Sequence, residues 1–254
     1  MFRPRIIPVL LIKNKALVKS IQFKNHKYIG DPINAVKIFN DLKADELIFL
    51  DTQASKEKRL ISIDFVKKLA EETNMPFGVG GGIRTIDDIQ KLIAAGAEKV
   101  VLSTVAFENP DFIRIAVENF GSSTITVCID VKKNLFGKQK TYTLNGTKSH
   151  SYSAVEFAKL MAQKGAGEII IQSIDMDGKM EGYDLNLTAE ISNSVTIPVV
   201  ALGGAGTIND LKSAYFDGNA NAMAAGSLFI YQSKKRGVLV NYPDKTELTR
   251  IFSL

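Results

Sequence analysis

Cysteine and histidine are almost missing from this chain, which carries one cysteine, Cys128, and two histidines, His26 and His150, among 254 residues. A lone cysteine cannot close an internal disulfide, and a single thiol suits a reducing compartment, so a cytoplasmic protein is expected. Two histidines leave no histidine-rich metal site and disfavour a Ser-His-Asp triad. No metal and no cofactor are expected. Asp175-Met176-Asp177-Gly178 begins like a calcium loop and then departs from one: Gly178 arrives two positions early, and the twelfth position is Asn186 instead of glutamate. Long apolar runs are also lacking. Ile6 to Ile12 is too short for a secretory signal and has no small-residue cleavage site, and no segment approaches a membrane span. The net charge of +5 comes from scattered lysines, with Lys132-Lys133 and Ser233-Lys234-Lys235-Arg236 as the clusters. No aromatic stacking surface accompanies them, so a solvated face is expected and not a nucleic-acid patch.

What the chain does contain is a repeat. Val79-Gly80-Gly81-Gly82-Ile83-Arg84-Thr85 reads as a buried strand, a glycine turn and a helix start, and Leu202-Gly203-Gly204-Ala205-Gly206-Thr207 repeats it at an offset of 122. The same shift sets Thr85 on Thr207, Asp88 on Asp210, Gly96 on Gly218 and Glu46-Leu47-Ile48-Phe49 on Glu168-Ile169-Ile170-Ile171. A slightly smaller one lays Leu10-Leu11-Ile12-Lys13 on Ile129-Asp130-Val131-Lys132. Half-length copies are too long for solenoid repeats, whose periods run roughly 20 to 50 residues. With 45% hydrophobic residues, the chain fits one α/β domain, a (β/α)8 TIM barrel over 1–254 made of two duplicated (β/α)4 halves, about 1–121 and 122–254.

Strands are expected at Ile6–Ile12, Glu46–Leu50, Phe77–Gly80, Lys99–Leu102, Thr124–Val131, Glu168–Gln172, Pro198–Leu202 and Ala222–Ala225, with helices between. Lys13 to Gly30 reads as a long basic loop, of the kind that forms functional lids. Gln139 to Gly146 alternates like a hairpin inserted over the barrel mouth. Chemistry in a parallel barrel gathers at the carboxyl ends of the strands, where Asp51, Asp130 and Asp175 stand. Asp130 lies inside an apolar run, and a carboxylate there either caps a loop or faces a polar cavity; a catalytic role is the expectation. Asp51 could equally bond the amides of the next loop. Cys128 shares the Asp130 face but has no histidine nearby in sequence, so a packed thiol is expected. The turns at Gly81-Gly82 and Ser103-Thr104, and those at Gly203-Gly204 and Ala225-Gly226-Ser227, would set two anion cradles on opposite sides of one mouth. A substrate with a phosphate at each end would bridge them.

Arg5-Ile6-Ile7-Pro8, Gly30-Asp31-Pro32, Glu46 to Asp51, Pro76 to Ile83, Gly165-Ala166-Gly167-Glu168, Asp177-Gly178, Gly182-Tyr183-Asp184 and Gly203 to Gly206 together resemble the cyclase subunit family of imidazole glycerol phosphate synthase, HisF, from Arg5 to about Phe229. The resemblance implies a duplicated barrel that takes ammonia from a glutaminase partner of the HisH type, docked at the amino-terminal face. It implies a bis-phosphorylated ribulosyl aminoimidazole nucleotide as substrate, closed to imidazole glycerol phosphate. Carried to this chain, it makes Asp130 catalytic, places Lys19, Asp51, Gly82, Thr104, Asp177, Gly178, Gly204, Ala225 and Gly226 at the substrate, and makes Arg5, Glu46, Lys99 and Glu168 the ammonia gate. The chain departs from the family at its second catalytic aspartate, which is Leu11 here, and at Ser103 and Leu202. The loop from Asn14 to Ser20 also lacks the family's Asp-Gly and final Gly. That pattern is similar to paralogues that work beside a glutaminase and a sugar amidotransferase in surface-polysaccharide synthesis. Ammonia delivery for sugar amidation is therefore one expectation, and the cyclase reaction of histidine biosynthesis the alternative.

Overall fold

Period-two alternation builds the molecule. In the first strand, Ile6, Leu10 and Ile12 pack outward against helices, while Ile7 and Val9 point into a second, inner apolar cluster. A strand buried on both faces reads as a continuous apolar run, as parallel strands covered by helices do. The computed structural model describes residues 3–134, 137–232 and 237–253, so the basic cluster at 233–236 lies outside the described residues.

The first half runs β1 (Arg5–Lys13), β2 (Ala16–Ile21), β3 (Lys24–Gly30), α1 (Pro32–Asp41), β4 (Leu47–Asp51), α2 (Ile63–Glu72), β5 (Phe77–Gly80), α3 (Ile86–Ala94), β6 (Lys99–Leu102), α4 (Thr104–Glu108) and α5 (Asp111–Phe120). The second runs β7 (Ile125–Lys133), β8 (Gln139–Thr143), β9 (Lys148–Ser149), α6 (Ala154–Gln163), β10 (Glu168–Ser173), α7 (Leu185–Ser192), β11 (Val199–Leu202), α8 (Ile208–Phe216), β12 (Ala222–Ala225), α9 (Ser227–Ile230) and α10 (Lys245–Phe252). Eight of the strands pair in parallel in the order β10-β11-β12-β1-β4-β5-β6-β7, and β7 pairs back to β10, closing a (β/α)8 TIM barrel. In that ring β1 and β7 are diametrically opposed.

The duplicated sequence produces duplicated local structure. Thr85 and Thr207 each accept from the backbone N–H three residues on, and Asp88 and Asp210 each reach back to the cap, two matching capping boxes. Among the described residues no helix is long and apolar enough to cross a membrane.

One expectation is corrected. The segment from Lys13 to Gly30 is not a loop: β2 pairs antiparallel with β1, Lys13 opposite Ala16, and β3 pairs with β2. The two turns are Asn14-Lys15, with φ of 51° and 63°, and Gln22-Phe23, with φ of 51° and 62°. Two successive positive φ values match the right-handed twist of the strands they join, so a hairpin forms without glycine. The second hairpin, β8 on β7, was legible from its alternation and pairs as expected, with Asp130 opposite Tyr142.

Candidate functional site

The floor of the barrel is charged. Glu46, just ahead of β4, and Glu168, opening β10, are both buried, and the Arg5 guanidinium bridges them with one nitrogen each. Lys99 Nζ stands 3.0 Å from Glu46 Oε1 and 3.4 Å from Glu168 Oε2. Two cations and two anions from four strand starts therefore form one closed ring. The sequence had set these four together only through the resemblance; the barrel closure brings β1, β4, β6 and β10 to one end.

At the other end a single cavity is lined by Asp130, Lys19, Asp51, Gly82, Thr104, Asp177, Gly178, Gly204, Ala225 and Gly226, and also by Leu11. Of the residues expected at the mouth, Asp175 is the one that does not line that cavity. Lys19 reaches it from β2, and its Nζ donates to the Val9 carbonyl oxygen at 2.7 Å. Gly226 makes the seat, since a Cβ there would lie 2.1 Å from Lys19 Nζ. Burial lowers the ammonium to about 8, opposed by the charge of Asp177. Asp130 and Leu11 face each other from opposite strands. Burial raises the Asp130 carboxyl to about 7; the Cys128 thiol, 3.6 Å from Oδ1, opposes the shift, and the Asp177 charge adds to it. Burial and Asp130 push Cys128 well above the usual thiol range, which keeps it a packed thiol.

Asp177 fastens the first hairpin over the mouth. Its carboxylate accepts from Ser20 Oγ at 3.2 Å, from Phe23 N at 3.3 Å and from Gln172 Nε2 at 3.3 Å. The second hairpin contributes Leu144 and Asn145 to the lining, and Asn145 Nδ2 donates to the Thr52 carbonyl at 2.6 Å. Asp51 bonds the amides of the next loop, Oδ1 accepting from Gln53 N and Ala54 N, while Oδ2 pairs with Arg59 Nη1 at 2.6 Å, and it also lines the cavity.

Asp175, grouped with Asp51 and Asp130 by its position after a strand, does not join them. Its Oδ2 accepts from Lys133 N at 2.7 Å and ties down the second hairpin. The glycine turns also have a packing explanation. A Cβ on Gly82 would meet the Arg59 carbonyl oxygen at 1.7 Å, and one on Gly204 the Gly182 oxygen at 2.0 Å. Both glycines hold positive φ, 72° and 112°. The second glycine of each pair is thus required by a backbone strand of the preceding loop. The short helices α4 and α9 start at the cavity with no side-chain cap. Sequence reasoning missed Val9, Leu50, Val101 and Gln172 as lining residues; the inward phase of their strands was the signal available. Phe23, His26, Leu144 and Asn145 arrive on hairpins, and nothing local announces them.

The closed barrel with a charged ring at one end and a cavity at the other belongs, by its sequence, to a known family. The sequence profile of the histidine biosynthesis protein family, His_biosynth, matches residues 5–235, and the chain belongs to that family, among its imidazole glycerol phosphate synthase subunits of the HisF type. It is 44% identical over 255 residues to the "putative imidazole glycerol phosphate synthase subunit hisF3" of Vibrio vulnificus (strain YJ016), covering 100% of this chain and 98% of that protein. A HisF protein with the same style of name from Leptospira interrogans is 41% identical over 253 residues, 99% of this chain and 100% of that one. The imidazole glycerol phosphate synthase subunit HisF of Alkaliphilus metalliredigens (strain QYMF) is 43% identical over 231 residues, 91% and 92% of the two chains.

Proposed function

We propose that this barrel receives ammonia from a glutaminase docked at its amino-terminal face and passes it to the mouth for a sugar amidotransferase. The observation that carries the reading is the pairing of a complete floor ring, Arg5 with Glu46, Lys99 and Glu168, with a mouth in which Leu11 faces Asp130. Ammonia is small and neutral, so an apolar interior admits it once the charged ring lets it through. Ring closure to an imidazole needs protons moved at the mouth, and a positioned acid or base contributes typically 10²- to 10⁴-fold. Asp130, at about 7, can hold or release a proton near neutral pH. Leu11 can do neither, so delivery survives while cyclisation loses a partner. Gly82 with Thr104 and Gly204 with Ala225 and Gly226 are the two ends at which a bis-phosphorylated molecule would be held, with Lys19, Asp51, Asp177 and Gly178 between them.

The second reading is the cyclase itself, converting the ribulosyl nucleotide and ammonia to imidazole glycerol phosphate. The poised Asp130 and the match along the whole chain support it. Purified protein assayed with the ribulosyl nucleotide and an ammonium salt separates the two. Turnover at ordinary enzyme rates removes the delivery reading; no turnover, restored by Leu11→Asp, removes the cyclase reading.

A further inference from the structure

Between the floor ring and the cavity lies one thin layer of the barrel interior, and its side chains are not alike. Alternation fixes which residues point inward: Ile7, Val9, Ile48, Val101, Cys128, Ile170 and Val200 form the inner cluster, so on β7 the even-numbered residues face the centre. Thr126 is therefore inward. It pairs in register with Glu168 of the ring on one side and with Val101, a cavity-lining residue, on the other. The hydroxyl sits where ring and cavity meet.

Thr126 is 1% exposed, and its hydroxyl has no hydrogen-bonding partner among the described residues. A buried hydroxyl without a partner is costly, and buried polar groups are almost always satisfied by protein or by a small guest. Of three further such atoms, Gln172 Oε1 and Ser103 Oγ belong to residues lining the cavity above, and Ser192 Oγ lies at the end of α7, away from the barrel axis. Thr126 is the one that stands below the cavity, beside the ring. On the adjoining strands the nearest inward members of the apolar cluster, Val101 on β6 and Ile170 on β10, cannot satisfy a hydroxyl.

We infer that Thr126 forms a seat for one small, uncharged, hydrogen-bonding molecule between the floor ring and the cavity, held by water at rest and by ammonia in transit. The identity of the transient guest rests on the ammonia reading above; the seat does not. An uncharged guest fits because the charges of the ring are already matched two against two, and the apolar neighbours give an ion no counter-charge. The seat also sets the route: passage runs along the β7 and β10 wall, and the β1 and β4 wall serves as apolar lining.

The test uses the full chain and the nearly isosteric Thr126→Val, with Thr126→Ser as the variant that keeps the hydroxyl. In crystals grown with ammonium chloride as the probe, wild type and Thr126→Ser should show a density peak within hydrogen-bond distance of the hydroxyl, and Thr126→Val none. The urea midpoint of Thr126→Val should be equal to or below that of wild type, because the hydroxyl it removes is satisfied. A missing peak in wild type, or a midpoint raised by Thr126→Val, overturns the inference, since a hydroxyl in a dry site would only destabilise. With a glutaminase bound, Thr126→Val should lower glutamine-driven output several-fold and Thr126→Ser should keep it. An occupied seat with no glutamine-driven output from wild type would sink the ammonia reading and leave the seat standing.

Discussion

Above the floor ring, the inward positions on the β1, β4 and β5 side of the barrel are Ile7, Val9, Leu11, Ile48, Leu50, Gly78 and Gly80; on the β7 and β10 side they are Thr126, Cys128, Asp130, Ile170 and Gln172. One wall carries no polar side chain at these positions, and the other carries three, Thr126, Asp130 and Gln172. The two walls descend from the same repeat and still share Glu46 with Glu168 and Ile48 with Ile170, yet Ile7, Leu11 and Leu50 stand where the other half has Thr126, Asp130 and Gln172. The repeat persists where geometry demands it: the capping boxes at Thr85 and Thr207, and the glycines that admit a neighbouring carbonyl. It has lapsed where a side chain answers only to the contents of the cavity. The inward polar strand positions above the ring therefore lie on one wall, while the ring and the mouth draw on both.

Restoring an acid on the apolar wall should have the largest effect. Leu11→Asp, measured by steady-state turnover of the ribulosyl nucleotide with ammonium salt, should raise the rate by about 10² or more, the usual contribution of a positioned proton-transfer group. An unchanged rate would show that the walls differ in more than this carboxylate. The floor ring, by contrast, joins both walls. Glu46→Ala and Glu168→Ala should each lower stability by on the order of 2 kcal/mol in urea titrations, below the figure for a fully buried pair, because the part-exposed Arg5 and Lys99 are left to share one carboxylate. A much smaller loss for one of them would mean that the ring rests on a single side.

The polar wall should reveal itself through pH. Burial raises Asp130 to about 7, so the folded state holds this proton more tightly than the unfolded chain. The resulting stabilisation is complete below the ordinary carboxylate range and is lost as pH climbs through about 7. Asp130→Asn cannot ionise, so it should exceed wild type by on the order of 2 kcal/mol at pH 8 and show no advantage near pH 4. A gap independent of pH would argue against a buried, shifted carboxyl. The smallest effect tests what the halves still share. Thr85→Ala and Thr207→Ala should each cost about 1 kcal/mol by thermal unfolding, and nearly equally, since each removes the same cap.

Much of the architecture was legible in the residues. Phe77–Gly80, Lys99–Leu102 and Ala222–Ala225 are strands with the bounds the apolar runs suggest. The first hairpin was not, because Asn14-Lys15 and Gln22-Phe23 adopt positive φ without the glycine that normally advertises it. The strand-end rule put Asp130 and Asp51 at the cavity, but it could not separate them from Asp175, which spends its carboxylate on the Lys133 amide. Thr126 carried no motif at all; it became visible only when its hydroxyl was found without a partner.

By itself the sequence determined that two half-barrels would form, which faces of their strands would be apolar, and where the chain would turn and start its helices, because propensity and periodicity act over a few neighbouring residues. Tertiary closure decided which charges meet at the floor, which hairpin residues roof the mouth, and that Leu11 and Asp130 stand across from one another. Those outcomes depend on strands far apart in sequence arriving at one axis, and no local pattern encodes the distance between them.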